Sequence, residues 1–589
     1  MTKQATLGGS YLISETAPQD VFTPEDFNEE QKMIGKMTED FVKDQVWPVL
    51  DEIEEHKFEH TVRLLKEAGN LGLLGADVPE KYEGLGLDKV SSSLITEKIT
   101  LARSFALSHG AHVGIGTLPI VFFGTEEQKK KYLPDLATGR KFAAYALTEP
   151  SSGSDALGAK TTAKLTDDGK YYLLNGEKQW ITNSGFADVF VVYAKVDGQH
   201  FSAFIVERDY DGVSTGPEEK KMGIKGSSTR TLILEDAKVP VENLLGEVGK
   251  GHKIAFNILN IGRYKLAVGT MGSAKRAIEL SAQYANQRKQ FKTPIAKFGL
   301  IREKLADMAI KTYAAESMVY RIAGLFEDGL DGVENAEGAV VAAAIHNLAV
   351  ECSIAKVFSS EVLDFVTDEG VQIHGGYGFM SEYEIENLYR DSRINRIFEG
   401  TNEINRLLIP GTLMGKAQKG ELPLIPAAMK LQEELLLYMP SLEEEEGALE
   451  AEKKLVENAK KIFLMVAGVA VESFGTKLDS QQEILRDLAD IAIETFAMES
   501  ALLRSLKAIA HNGEVKEQSK IDLTTAFIYH SFQKVDAFAR HALCSIEEGD
   551  MLRTQLSVLK KLTRVQPINE VKLKRGIAKR VLEAEKYVV

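Results

Sequence analysis

A chain of 589 residues exceeds what one hydrophobic core supports, and at roughly 150 residues per domain it predicts three or four domains. Its 44% hydrophobic and 27% charged content is that of an ordinary globular protein, and a net charge of −15 argues against nucleic acid or an anionic membrane as a partner of the whole molecule. Cys352 and Cys544 are too few and too far apart for a disulfide framework or a metal cluster, both read as buried small hydrophobes, and the eleven histidines lack ligand spacing, so no metal is expected.

Residues 1–25 read as a loose lead-in with neither a secretory pattern nor an Arg-rich transit pattern, which predicts a cytoplasmic location. The helical period begins at Asn28, with Met33, Met37 and Phe41 at fourfold spacing, and returns at Arg63–Ala68 and Ser91–Leu107 around the Gly-punctuated connection Val78–Asp88. Residues 1–147 are therefore read as a helical domain. Short β-rich runs follow at Lys160–Leu165, Tyr171–Asn175, Val189–Lys195 and Phe201–Glu207, separated by the turn signals Asp167-Asp168-Gly169 and Asp197-Gly198, giving a β domain over 148–248. From Gly249 a long helix carries Ala267, Met271, Ala274, Ile278, Ala282 and Ala285 on one face, and the unit 249–414 closes at Pro410-Gly411. Residues 415–589 form a further helical block with stripes at Leu455, Ala459, Ile462, Val466, Val469 and at Leu485, Leu488, Ala492, Phe496; Glu443–Glu446 reads as a solvated charge run. The longest strongly apolar run, Ile462–Val471, is about half the roughly 20 residues a membrane span needs.

Several segments carry chemistry. Tyr145-Ala-Leu-Thr-Glu-Pro-Ser-Ser-Gly-Ser-Asp155 ends an extended stretch in a turn dense in N–H and hydroxyl donors, suited to an anionic or heterocyclic ligand, although Ser/Gly turns are also plain punctuation. In Leu174–Asn183, Asn175-Gly176 can make a tight turn, and strand alternation puts Trp180 and Thr182 on one face, where an indole and a hydroxyl can cover a planar ring. Lys221–Thr229 and Val239–Glu247 read as scaffold. Gln287–Phe298 joins a basic helix end to an aromatic, a diphosphate grip or a solvated turn. Gly375-Gly376 within Gln372–Phe379 permits close backbone approach to a ligand, while His374 reads as a packing or surface residue. In Arg396–Arg406, Glu399 lies among Ile397, Phe398 and Gly400; apolar surroundings would raise its pKa and suit it to accept a proton from a weak carbon acid.

Together these segments, in order over about residues 25–410, resemble the acyl-CoA dehydrogenase family; the Asn260-Ile-Gly-Arg263 wording and the C-terminal block are closest to its very-long-chain branch. The resemblance implies an α+β multi-domain fold: an N-terminal helical domain, a central β-barrel-like domain, a helical bundle domain and an additional C-terminal helical domain. It implies FAD as cofactor. Tyr145, Leu147 and Thr148 would lie along the flavin, Gly153 and Ser154 at its phosphates or the substrate pantetheine, and Trp180, Ile181 and Thr182 at the isoalloxazine. Arg288 would hold the pyrophosphate of a neighbouring subunit's FAD, with Phe291 beside the cofactor; Gln372, Gly375 and Gly376 would meet the adenosine, and Thr401 and Glu403 also fall at FAD-contact positions. Phe256, Asn260, Arg263, Ser154 and Gly400 would meet acyl-CoA. Gly262 stands where a minority of the family places its base, so Glu399 keeps that role. Lys292 for Gly, Gly299 for Gln, Phe398 for Tyr and Glu403 for Gln depart from the family pattern.

The implied reaction removes the α-proton of a long-chain acyl-CoA with Glu399 and the β-hydrogen as hydride to the flavin, giving a trans-2-enoyl-CoA in fatty acid β-oxidation. Electrons would pass to an electron-transfer flavoprotein, and a homodimer or homotetramer is expected. An acyl-CoA oxidase using O2, or an inactive acyl-CoA-binding scaffold, are the alternatives. Membrane contact through Lys560, Lys561, Arg564, Lys574 and Arg575 is not expected; a solvated helix face accounts for them.

Overall fold

The structure is a computed structural model that describes residues 6–330, 338–437 and 447–589; the charge run Glu443–Glu446 lies outside the described residues. The lead-in is not loose. Short 3-10 turns at Ser10–Leu12, Pro18–Asp20 and Pro24–Asp26 hold it down, Tyr11 and Leu12 are buried, and the Tyr11 hydroxyl donates to the Ala492 carbonyl at 2.9 Å. A buried aromatic pair, Tyr11 on Phe496, supplies the anchor that composition did not reveal.

Asn28 caps helix Glu29–Phe41 in a reciprocal pair with Gln31. The buried face is Gln31, Gly35, Thr38 and Phe41, whereas Met33 is 71% exposed. Fourfold spacing drifts about 40° per step around a 3.6-residue helix, so a Met33–Met37–Phe41 row leaves the core face at one end. The expected helix Ser91–Leu107 is broken at Arg103, whose φ of 51° ends the turn after Lys89–Ile99 before helix Ser104–Ala111 begins. From there Ser104–Phe123 forms a 20-residue apolar stretch, longer than Ile462–Val471; it is long and apolar enough to cross a membrane, and 78% of its most apolar window is buried inside the protein.

The middle of the chain is one sheet of eight strands: β1 Ala143–Ala146, β2 Thr162–Leu165, β3 Tyr171–Thr182, β4 Val189–Val196, β5 His200–Glu207, β6 Val213–Glu218, β7 Thr229–Pro240 and β8 Leu244–Leu245. They run in the order β6-β7-β3-β2-β4-β5-β8, with β1 parallel to β4. β6 and β8 stand at opposite ends of this path and, among the described residues, do not pair with each other, so strand pairing does not close the sheet into a barrel. Asn175-Gly176 does not turn the chain. β3 continues through it with a register shift, and Gly176, at φ 152°, lets the strand pass Thr161, whose Oγ1 would stand 2.4 Å from any added Cβ.

Helices Gly251–Gln287, Gly299–Leu330 and Ala349–His374 pack together as the centre of the molecule, and the six positions read as one face of the first are all fully buried. After the shorter helix Glu384–Ser392, helix Asn402–Gln418 continues through the expected stop at Pro410. Pro410 is buried there, so packing offsets the lost backbone hydrogen bond. Helices Leu424–Leu437, Glu450–Phe474, Gln482–Asn512, Gln518–Ile546, Gly549–Leu562 and Glu570–Ala584 complete the C-terminal block, and both of its predicted apolar stripes are buried. Cys352 is buried as expected, but Cys544 is exposed. Among the described residues no group of His, Cys, Asp and Glu could hold a metal.

Candidate active site

Helix Asn402–Gln418 is capped by Thr401, whose Oγ1 accepts from Ile404 N at 3.2 Å. The turn before the cap contains two consecutive left-handed residues, Glu399 (φ 58°) and Gly400 (φ 78°). Such a turn is costly for glutamate and needs outside restraint. Arg263 Nε donates to the Glu399 carbonyl at 3.2 Å, while Asn405 Nδ2 and Lys356 Nζ each donate to the Gly400 carbonyl at 2.8 Å. Asn260 in turn orients Arg263 through a 2.8 Å bond from Nη1. The turn thereby aims the Glu399 side chain into a cavity of about 220 Å3 shared with Thr182, Gly262, Ile115, Leu266 and Phe398.

Within that cavity Glu399 Oε2 is buried without a hydrogen-bond partner. Burial pushes the carboxyl up to about 7, against the opposing pull of Arg263 and Lys356. Gly262 faces it directly: a Cβ there would stand 2.5 Å from Oε2. The cavity wall is mainly apolar, so it suits a hydrocarbon chain with a carbon acid at the carboxylate.

Thr182 joins Glu399 in this cavity, and Trp180, two residues earlier in β3, is 60% exposed with φ 58° at a bulge in the β3–β7 ladder. Ile181 between them is buried in the sheet core, so only its backbone is available to a ligand. Tyr145 on β1 is buried, stacks edge-on to Tyr193 at 5.3 Å, and its hydroxyl has no hydrogen-bond partner. Leu147 is buried and accepts at its carbonyl from Lys178 Nζ at 3.2 Å; the Thr148 carbonyl accepts from Gln179 N at 2.8 Å. Lys178, fully buried, also pairs with Glu149 at 2.7 Å, and Glu149 accepts from the backbone of Lys160 and Thr161. This ion pair ties the 145–149 strand end to β3. Gly153 and Ser154 are exposed on the turn that follows, with open space around Gly153.

Other predicted residues gather elsewhere. Arg288, Gly375 and Gly376 line a second cleft of about 440 Å3 that shares no lining residue with the Glu399 cavity. Arg288 stacks on Tyr377 at 5.3 Å, and His374 stacks on Tyr284 at 4.2 Å, the packing role expected of it. Gln372 is exposed beside this cleft rather than in its lining. Phe291 is 90% exposed at the tip of a two-residue hairpin. Glu403 is exposed on the first turn of its helix, and Phe256 is 40% exposed near the start of the long helix. Sequence reasoning missed Lys356, Asn405, Lys178 and Glu149. A lone lysine within the buried run Cys352–Ser360 was the one available signal.

These features fit a flavin. An exposed indole beside a threonine, an exposed Gly153-Ser154 turn with open space around it, an orphaned buried Tyr145 hydroxyl and a second, arginine-bearing cleft match a ligand with a planar ring and an anionic tail.

Comparison with known proteins agrees. The chain matches the family models "Acyl-CoA dehydrogenase, N-terminal domain" over 28–140, "middle domain" over 144–237 and "C-terminal domain" over 249–414, with a second C-terminal domain model over 458–561. It is 63% identical over 585 residues to a probable acyl-CoA dehydrogenase of Bacillus subtilis (strain 168), covering 99% of this chain and 98% of that one. It is 36% identical to the mitochondrial very long-chain specific acyl-CoA dehydrogenase of Homo sapiens, covering 85% and 78%. The crystal structure of an acyl-CoA dehydrogenase complexed with FAD from Bacillus anthracis superposes with a TM-score of 0.98 at 65% identity, covering 99% of this chain and all of that one. The chain belongs to the acyl-CoA dehydrogenase family, FAD-dependent oxidoreductases acting on CH–CH bonds.

Proposed function

We propose that the protein dehydrogenates long-chain acyl-CoA to trans-2-enoyl-CoA in fatty acid β-oxidation, with Glu399 as the base. The carrying observation is an unpartnered carboxylate, aimed by a strained turn into an apolar cavity that also contains Thr182. Glu399 takes the α-proton onto Oε2, and a pKa near 7 matches that task near neutral pH. Asn260 and Arg263 hold the base turn, and the apolar wall orients the acyl chain and excludes water. FAD, when bound, supplies the acceptor for the β-hydride. Tyr145, Leu147, Thr148, Trp180 and Thr182 are the residues we assign to its ring, Gly153 and Ser154 to its phosphates or the pantetheine, and Arg288, Phe291, Gln372, Gly375 and Gly376 to the adenosine end across a subunit contact. The exposed Phe291 and the separateness of the two clefts support that division and a homodimer or homotetramer. Thr401, Glu403, Phe256 and Gly400 complete the proposed ligand set.

An electron-transfer flavoprotein is the proposed acceptor; a relative, the caffeyl-CoA reductase–Etf complex subunit CarC of Acetobacterium woodii, is named for such a complex. A cytoplasmic location goes with this reading.

Anaerobic titration of the purified protein with palmitoyl-CoA tests it: the flavin absorbance bleaches. Glu399→Gln keeps the colour and loses bleaching by about 100-fold or more in rate. Near-normal bleaching by that variant removes Glu399 from the base role.

A further inference from the structure

We propose that Lys356 is a positioning residue for Glu399: its ammonium clamps the Glu399–Gly400 turn and supplies the cation that keeps the carboxylate ready to accept a proton. This rests on the base role of Glu399 proposed above.

Lys356 sits in the middle of helix Ala349–His374, between buried Ala355 and Val357, and is itself fully buried. An ammonium in such a place costs several kcal/mol unless its donors and charge are used. Two donors are used on the base turn: Nζ to the Gly400 carbonyl at 2.8 Å and to Asn402 Oδ1 at 2.6 Å. Asn402 is held in turn by Ser360 and Glu361, each at 3.1 Å. Among the described residues Lys356 forms no ion pair, so no carboxylate cancels its charge at contact distance.

The charged groups around it come from each packed element. Glu399 lies on the turn, Arg263 on the long helix, Glu361 on its own helix and Glu403 on the helix after the turn. Burial brings the ammonium down to about 7 despite the pull of Glu399, and Lys356 and Arg263 are the two cations that oppose the burial of Glu399. Two contacts on one carbonyl divide the work. Asn405 also holds the Gly400 oxygen, so the turn keeps a tether without Lys356, but it loses the charge.

A nearby cation favours the ionised carboxylate, so its removal raises the Glu399 pKa and shrinks the fraction able to act as base at neutral pH. Lys356→Met keeps length and apolar packing; Lys356→Gln keeps a donor without charge. Stopped-flow bleaching by palmitoyl-CoA across pH should show the acid limb of both variants moved up by about one pH unit. The rate near pH 7 should fall about fivefold, recovering as pH rises. In flavin-free protein, the infrared carboxyl band that disappears in Glu399→Gln should titrate at higher pH in both variants. An unmoved limb and an unmoved band in either variant overturn the proposal. Failure of both variants to fold, read as loss of flavin colour and of the cooperative thermal transition, also overturns it in favour of a purely structural lysine. The infrared titration does not depend on turnover: a wild type that fails to bleach removes the dehydrogenase reading, while the band shift still decides the role of Lys356.

Discussion

At the residue scale, the base depends on what faces it. Gly262 is the reason Glu399 can occupy its position, because the added methyl of Gly262→Ala would meet both carboxylate oxygens, at 2.5 and 3.0 Å. The helix backbone cannot yield, so the side chain of Glu399 must, and we expect a loss of about 100-fold in bleaching rate with FAD content unchanged. Substrate-free absorbance and stopped-flow rates on the one preparation check this. Burial of Glu399 also has a stability consequence. Its folded pKa, about 7, lies above the ordinary carboxylate value of 4.5, so its contribution favours folding at low pH and is lost as pH rises through 7. The loss amounts to about 3 kcal/mol. Glu399→Gln, which never ionises, should therefore gain thermal midpoint relative to wild type between pH 5 and pH 8, by on the order of several degrees. An equal difference at both pH values contradicts it. Glu399 was legible in the sequence through its flanking apolar residues and its resemblance to a family motif. Lys356 was not, because its partners Gly400 and Asn402 lie 44 and 46 residues away and only the tertiary fold joins them.

Elements were legible wherever one face is buried over several turns. The stripes of the long helix and of Glu450–Phe474 and Gln482–Asn512 lie in the core as read, because a wide apolar face has only one stable orientation. Punctuation failed where packing overrode local preference. Asn175-Gly176 stayed inside β3, since pairing with β2 and β7 on either side satisfies more backbone groups than a turn would. Pro410 stayed inside its helix, and Met33 left the buried face. One hairpin keeps a local cost in view. Phe291 and Lys292, between Lys289–Gln290 and Thr293–Pro294, have φ of 53° and 62°, the paired left-handed geometry that favours glycine. Lys292, exposed and at the position where the resemblance expects glycine, pays that strain directly. Lys292→Gly should stabilise the hairpin by about 0.5–1 kcal/mol, seen as slower amide exchange at the Gln290–Thr293 pairing. Faster exchange would mean that the glycine's greater freedom in the unfolded chain outweighs the relieved strain.

On the scale of the whole molecule, a buried ionic hub joins segments distant in sequence. Glu316, on helix Gly299–Leu330, accepts from Lys275 of the long helix, from Arg504 of the C-terminal block at 2.7 Å and from the Tyr587 hydroxyl at 2.8 Å. Arg504 also grips Glu25 of the lead-in at 2.8 Å, and Lys275 reaches Glu97 of the N-terminal helices at 3.0 Å. The hub thus fastens both ends of the chain to its centre. Burial alone would raise the Glu316 carboxyl, but Lys275 and Arg504 overcome it and hold the group far below the usual carboxylate range. A depressed folded pKa contributes stability that is present above the unfolded carboxylate value and lost as pH falls toward the folded one. Replacing Arg504 by Met removes one cation from Glu316 and the hydrogen bonds to Glu25 while keeping much of the side-chain bulk. Glu316 is left buried with reduced compensation, while Glu25 is partly exposed and keeps Lys520, and the expected cost is about 3–5 kcal/mol at neutral pH. Because the penalty is that of an ionised Glu316, the gap between wild type and variant in thermal midpoint should narrow as the solution is taken below about pH 4. A gap that holds constant into acid would assign the loss to the packing of the Arg504 stem against Tyr313, whose ring lies 4.7 Å from the guanidinium carbon, and not to the charge that joins the ends of the chain.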